Sequence, residues 1–174
     1  MPSTSDSTDL ILFDAGMFIG ALLGGDPRHV EARPLVEAAR RGEMSSCTTA
    51  SILSEVYGAL TWEKAQPRHA PEEAAEAVRL LVEVPSAIQV LDTGLNVALL
   101  ALELASAHNL TARRIHDARH AAAALLAGVR FVYTYDIEDW KVFEADGLQI
   151  SGPPSTLTQL KRIEEGKKSE SLGN

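Results

Sequence analysis

Short apolar runs alternate with longer stretches rich in Ala, Leu, Glu and Arg between residues 10 and 150. That is the pattern of an α/β fold, a parallel sheet covered by helices. The apolar runs predict strands over 10–14, 44–47, 88–91, 131–135 and, less distinctly, 148–150. Helical spacing predicts helices over 16–23, 28–41, 49–64, 72–83, 94–108, 116–127 and 138–144. Several boundaries have local causes. Pro27 suits a first helical turn, and Gly42 suits a C-terminal stop. Pro71 opens the next helix, with Glu72 and Glu73 favourable against its N-terminal dipole. Thr93 is placed to cap the helix that follows it, and Gly128 ends the alanine-rich helix before the strand at 131.

A chain of 174 residues, 45% of them hydrophobic, fits one domain with a single core. Met1 to Asp9 is rich in Ser, Thr and Asp and lacks the basic start and apolar centre of a secretory signal, so residues 1–9 read as a disordered lead. Residues 10–150 form the domain. Gly152-Pro153-Pro154 then breaks regular structure. A short helix is expected over Thr156–Glu165 inside a partly mobile extension, 151–174. Apolar stretches such as Val97 to Leu102 are far below the ~20 residues that span a bilayer, so no membrane partner is expected. Cys47 is the only cysteine. It excludes an internal disulfide and a Cys-rich zinc site, and it points to a reducing cytoplasm.

Four acids stand against apolar segments. Asp14 closes Leu10-Ile11-Leu12-Phe13, and Asp136 closes Phe131-Val132-Tyr133-Thr134-Tyr135. Glu55 shares a helix face with Ile52 and Ala59, and Asp117 opens an alanine-rich helix. Taken singly, each has an ordinary structural role: a helix cap, a first-turn acid, a turn residue or an edge residue that reaches water. Taken together they call for a partner. Two carboxylates about 4 Å apart repel by roughly 4 kcal/mol at an effective dielectric of 20, and a converging set protonates or opens unless cations neutralise it. Oxygen ligands suit Mg2+ or Mn2+. In a parallel sheet the crevice beyond the carboxyl ends of the strands is where ligands collect.

The net charge of −8 argues against a nucleic-acid partner, since phosphate neutralisation needs a basic surface. The distribution softens that objection. Arg113, Arg114 and Arg119, with His116 and His120, crowd around Asp117, and Arg28, Arg33, Arg40 and Arg41 share one predicted helix. These groups are either solvated helix faces or a phosphate-facing rim.

Four segments carry a specific resemblance: Leu10-Ile11-Leu12-Phe13-Asp14-Ala15-Gly16, Thr48 to Val56, His116 to Ala124 and Val132 to Trp140. In order and spacing they resemble PIN-domain proteins, of the kind found as the VapC toxins of bacterial VapBC toxin–antitoxin pairs. The resemblance implies a three-layer α/β/α fold with a mostly parallel central sheet and the acids at one edge. It implies an endoribonuclease dependent on Mg2+ (or Mn2+), with RNA as substrate. It places Asp14, Glu55, Asp117 and Asp136 at the catalytic and metal-binding positions, Thr134 at a hydroxyl position that orients an acid or a water, and Asp139 as an additional metal ligand. Arg113, Arg114, His116, Arg119 and His120 become candidates for contact with RNA. Such proteins are usually homodimers, silenced by a cognate antitoxin of the VapB type. The helix 28–41 and the segment 49–83 are the surfaces expected to meet that partner, with Trp62 as an anchor and Tyr57 assigned rather to the core. The chain departs from the pattern at Gly16, where similar sequences often carry Asn, Ser or Thr.

Other chemistries fit less well. His116 and His120, spaced i, i+4, lack the intervening Glu of a zinc helix. A phosphotransfer enzyme of the haloacid dehalogenase kind needs a second Asp where this chain has Gly16. An RNA- or protein-binding module on the same fold is the alternative to an enzyme.

Overall fold

The computed structural model describes residues 9–157. The lead expected before Asp9, and the extension and short helix beyond Leu157, lie outside the described residues. Five strands, β1 (Ile11–Phe13), β2 (Ser46–Thr49), β3 (Gln89–Leu91), β4 (Phe131–Tyr133) and β5 (Gln149–Ser151), form one sheet in the order β3-β2-β1-β4-β5. All four pairings are parallel. Seven α-helices lie between the strands: α1 (Ala15–Leu22), α2 (His29–Arg40), α3 (Ala50–Thr61), α4 (Pro71–Val82), α5 (Leu95–Ala107), α6 (Arg114–Leu126) and α7 (Ile137–Trp140), and residues 154–157, just after β5, are helical too. None of them is long and apolar enough to cross a membrane.

Alternation along each strand divides the core into two layers. Leu12, Cys47 and Val132 pack against α5, α6, Trp140 and Phe143. Phe13 faces the other way, into Met17, Phe18, Ala32, Ile52, Val56 and Val78 of α1 to α4. The result is the three-layer arrangement. From β1 the chain winds outward through β2 and β3, then returns to place β4 on the other side of β1. The carboxyl ends of β1 and β4 are therefore the topological switch point, where a crevice opens. Asp14 and Asp136 follow those two strands.

Most elements begin and end within three residues of expectation, and two departures are instructive. β2 lies over 46–49 rather than 44–47. Ser46, Cys47, Thr48 and Thr49 carry little apolar signal, yet all four are buried, and Cys47, Thr48 and Thr49 pair with β3. Threonine fits a pleated, buried surface through its branched Cβ. The helix expected over 138–144 is instead the single turn α7 followed by a 3-10 helix over Lys141–Asp146, which Gly147 ends at φ 98°. Cys47 is wholly buried, and that burial pushes its thiol up to about 12, so it is an inert core residue. Tyr57, expected in the core, is exposed on α3, as is Trp62 just beyond it.

Candidate active site

Asp14 is the most tightly held of the acids. Its extended backbone makes it the N-cap of α1, and Oδ1 accepts from the Ala15 amide at 2.8 Å. Oδ2 accepts from the Thr134 hydroxyl at 2.9 Å and from the Trp140 indole Nε1 at 3.3 Å. The carboxylate is almost fully buried, Thr134 and Trp140 completely so. The Thr134 oxygen in turn accepts from the Asp136 amide at 2.9 Å. One hydroxyl thus ties the acid after β1 to the backbone of the acid after β4. A close backbone contact fixes Thr134 itself: its amide donates to Ser151 O, and a Cβ on Gly152 would lie 2.3 Å from Thr134 O. Only glycine fits there.

Asp117 sits in the first turn of α6. Burial and the charge of Asp14 push its carboxyl up to about 6, with Arg114 acting in the opposite direction. Asp136 is exposed at the mouth of the site. Dehydration of its inward side and the charge of Asp14 raise its carboxyl too, while Arg28 pulls it back. Asp14, Asp117 and Asp136 are therefore one electrostatic group.

Glu55 is held differently. Its Oε1 lies 2.8 Å from His120 Nε2 and 3.6 Å from Arg119. Burial raises its carboxyl, but His120, His116 and Arg119 more than offset this and hold it below the ordinary range. His120 Nδ1 lies 2.9 Å from the Thr49 hydroxyl, whose oxygen caps α3 by accepting from the Ile52 amide. An ionised carboxylate only accepts, so Nε2 carries a proton and donates it to Glu55, while Nδ1 pairs with the Thr49 hydroxyl. The expectation that His120 meets RNA is corrected here. The ring is 1% exposed, and both nitrogens are engaged inside the protein.

The remaining candidates form a rim. Arg114 donates to Asp117 Oδ2 at 3.0 Å and to the Asp139 carbonyl, and lies 3.3 Å from Asp139 Oδ1. Asp139 itself is largely exposed. Arg119 also bonds to His116 Nδ1 at 3.1 Å, and Arg113 and His116 are exposed. Thr49 and Trp140 were not among the expected site residues, and Arg28 was grouped only with the other arginines of its helix. Trp140 follows Asp136 by four residues, and an indole donor that close to an acid was the available signal.

Among the described residues, no three His, Cys, Asp or Glu side chains already form a metal cage. The donor set nevertheless fits a small hard cation. Mg2+ keeps several waters and takes only one or two carboxylates from the protein, and the repulsion that raises Asp117 and Asp136 is what a cation beside Asp14 relieves.

The comparisons agree with this architecture. No curated protein matches the chain significantly. Among solved structures, VapC20 from Mycobacterium tuberculosis, described as a toxin that cleaves the sarcin–ricin loop, aligns with a TM-score of 0.61 at 20% identity, over 80% of this chain and 96% of that one. VapBC2 from Rickettsia felis, bound to a promoter DNA fragment, gives 0.57 at 12% identity, over 83% and 98%. DNA-bound VapBC from Salmonella typhimurium gives 0.56 at 18% identity, over the same shares. At these identities the likeness is one of fold. The family model of the PIN domain matches residues 11–143, and the chain belongs to the PIN-domain family.

Proposed function

We propose that the protein is an endoribonuclease dependent on Mg2+ (or Mn2+), acting as the toxin of a toxin–antitoxin pair. The observation that carries this reading is the gathering of acids at the switch point: the Thr134 hydroxyl ties Asp14, after β1, to the backbone of Asp136, after β4, and burial together with the Asp14 charge raises both Asp117 and Asp136. PIN-family membership and the VapC and VapBC structures support it. When bound there, a divalent cation supplies polarisation of a phosphodiester oxygen and a lowered pKa for the attacking water.

The protein's own part is to hold the oxygens still. The Ala15 amide, Thr134 hydroxyl and Trp140 indole fix both oxygens of Asp14. Thr134 also sets the backbone of Asp136, while His120 holds Glu55. Hydrolysis adds water at phosphorus and breaks the P–O bond to the leaving ribose oxygen. Asp139, exposed and paired with Arg114, is an outer ligand at most. A VapB-like antitoxin is the proposed partner, meeting the exposed Trp62 and Tyr57 beside a cavity of about 360 Å³ lined by Ile19, Leu23, Trp62 and Lys64. The protein works as a cytoplasmic homodimer in this reading.

Asp14→Asn tests the proposal. Cleavage of single-stranded RNA in Mg2+ or Mn2+ should fall by about 10²–10³-fold, the size typical of removing one preorganised electrostatic group, and chelation should abolish it in the wild type. If wild type and variant are equally inert across RNAs and both ions, the enzyme reading fails and a binding module replaces it.

A further inference from the structure

Arg28 approaches the acidic site by a route that no local motif announces. α1 carries buried glycines at 16 and 20, one turn apart on one face. A Cβ on Gly20 would lie 3.0 Å from the Arg28 Cβ and 3.1 Å from the Ala32 Cβ, so α1 and α2 approach closely there. A Cβ on Gly16 would lie 3.1 Å from Arg28 Nη1. The guanidinium thus occupies the space that a side chain at 16 would take.

The group is firmly seated. Nε donates to Asp26 Oδ1 at 2.8 Å and Nη2 to Asp26 Oδ2 at 2.7 Å, a two-pronged pairing that fixes its plane. Cζ lies 5.3 Å from the centre of the Tyr135 ring, within cation–π range. Gly16 is two residues after Asp14, and Tyr135 immediately precedes Asp136. The guanidinium is therefore wedged between the segments that carry the two switch-point acids. Its side chain is 32% exposed, so solvent reaches it.

A polyanion approaching acids needs a positive group that the acids do not consume. Arg114 is committed to Asp117 and Asp139, and Arg119 to Glu55. The counter-ion of Arg28, Asp26, lies outside the acidic set, and Nη1 is left over from that pairing. We propose that Arg28 is an RNA phosphate-binding side chain of this site, seated by Asp26 and Tyr135 and admitted by the absence of a side chain at Gly16. This inference rests on the nuclease reading. RNA is favoured over a protein carboxylate as the anion because the free nitrogen lies on the Gly16 side, next to the acids.

The test compares wild type with Arg28→Gln, Arg28→Lys and Gly16→Ala, using a labelled single-stranded RNA. Cleavage gives KM and kcat, and fluorescence anisotropy in an Asp14→Asn background gives affinity against salt. Loss of one charge-assisted contact should raise KM and weaken binding by about 10–100-fold in Arg28→Gln, with kcat within a few-fold. The slope of log affinity against log salt should shrink by about 0.7, the value for one phosphate on a single strand. Mn2+ binding, read by calorimetry, should not weaken, since the lost charge is a cation near Asp136. Arg28→Lys should keep the salt slope but lose affinity, and it decides the question if Arg28→Gln does not fold. Gly16→Ala, by displacing the guanidinium, should raise KM in the same direction. Unchanged KM and salt slope in a wild type that cuts RNA overturn the assignment and leave the nuclease reading intact. So does a loss confined to affinity for a partner protein. A wild type that neither binds nor cuts RNA overturns both.

Discussion

Asp14 and Glu55 are both carboxylates set against apolar segments, yet the protein holds them by opposite means. Asp14 accepts from neutral donors: a backbone amide, the Thr134 hydroxyl and the Trp140 indole. Such bonds fix the oxygens without cancelling the charge, and the charge is felt by Asp117 and Asp136. Glu55 instead accepts from the His120 ring and lies beside the Arg119 guanidinium, and a cationic neighbour cancels the charge it pairs with. The four acids are thus divided electrically. Asp14 keeps a negative potential that Asp117 and Asp136 feel, and Glu55 is stored in a paired state.

The largest effect should come from unmaking the store. His120→Ala removes both of the ring's hydrogen bonds and opens a buried cavity, so urea melts should show a loss of about 2–4 kcal/mol. His120→Gln, which can still present an N–H towards Glu55, should recover part of that loss and most of the activity. Equal activity in both variants would show that Glu55 needs no such holder.

Next comes the neutral frame. Thr134→Val keeps the shape and deletes the hydroxyl shared by Asp14 and Asp136. Mn2+ affinity measured by calorimetry should drop by about 10–100-fold, as for other partners that orient metal ligands. An unchanged affinity would mean that Asp14 binds without its frame.

The smallest effect has opposite signs at the two acids. In chelator, the Asp117 carboxyl is raised to about 6 from 3.8. Its stabilising contribution is complete below the unfolded value and is lost as pH rises through about 6. Glu55 is lowered from 4.5, so its contribution is present above that value and is lost as pH falls through the folded one. Thermal melts at pH 7 should therefore show Asp117→Asn more stable than wild type, by about 1 kcal/mol once solvent screening is allowed for, and Glu55→Gln less stable. Shifts of the same sign would remove the distinction between the two acids.

Much of this fold was legible because buried parallel strands are continuous apolar runs, as at Ile11–Phe13 and Phe131–Tyr133. β2 was misplaced because burial of Thr48 and Thr49 is a tertiary fact that their polarity conceals. At the site, the four acids and Thr134 could be listed from their neighbours along the chain. Their holders could not. Thr49 meets His120 across 71 positions, and Trp140 meets Asp14 across 126. His120 was assigned outward from its basic neighbours, although the alanines after it are buried. Gly16 read as a departure from the pattern of similar sequences, whereas the space it leaves is filled by Arg28, at the N-cap of α2.

The contact between Gly152 and the Thr134 carbonyl also bears on how the protein is made. Asp14, Glu55, Asp117 and Asp136 are all synthesised before β5, but the strand that pins Thr134 emerges after them. A nascent chain therefore carries every acid before it carries the clamp that aligns two of them. A cell making the proposed toxin would meet a finished site only once translation has passed that glycine, which leaves an interval in which an antitoxin already present can be waiting.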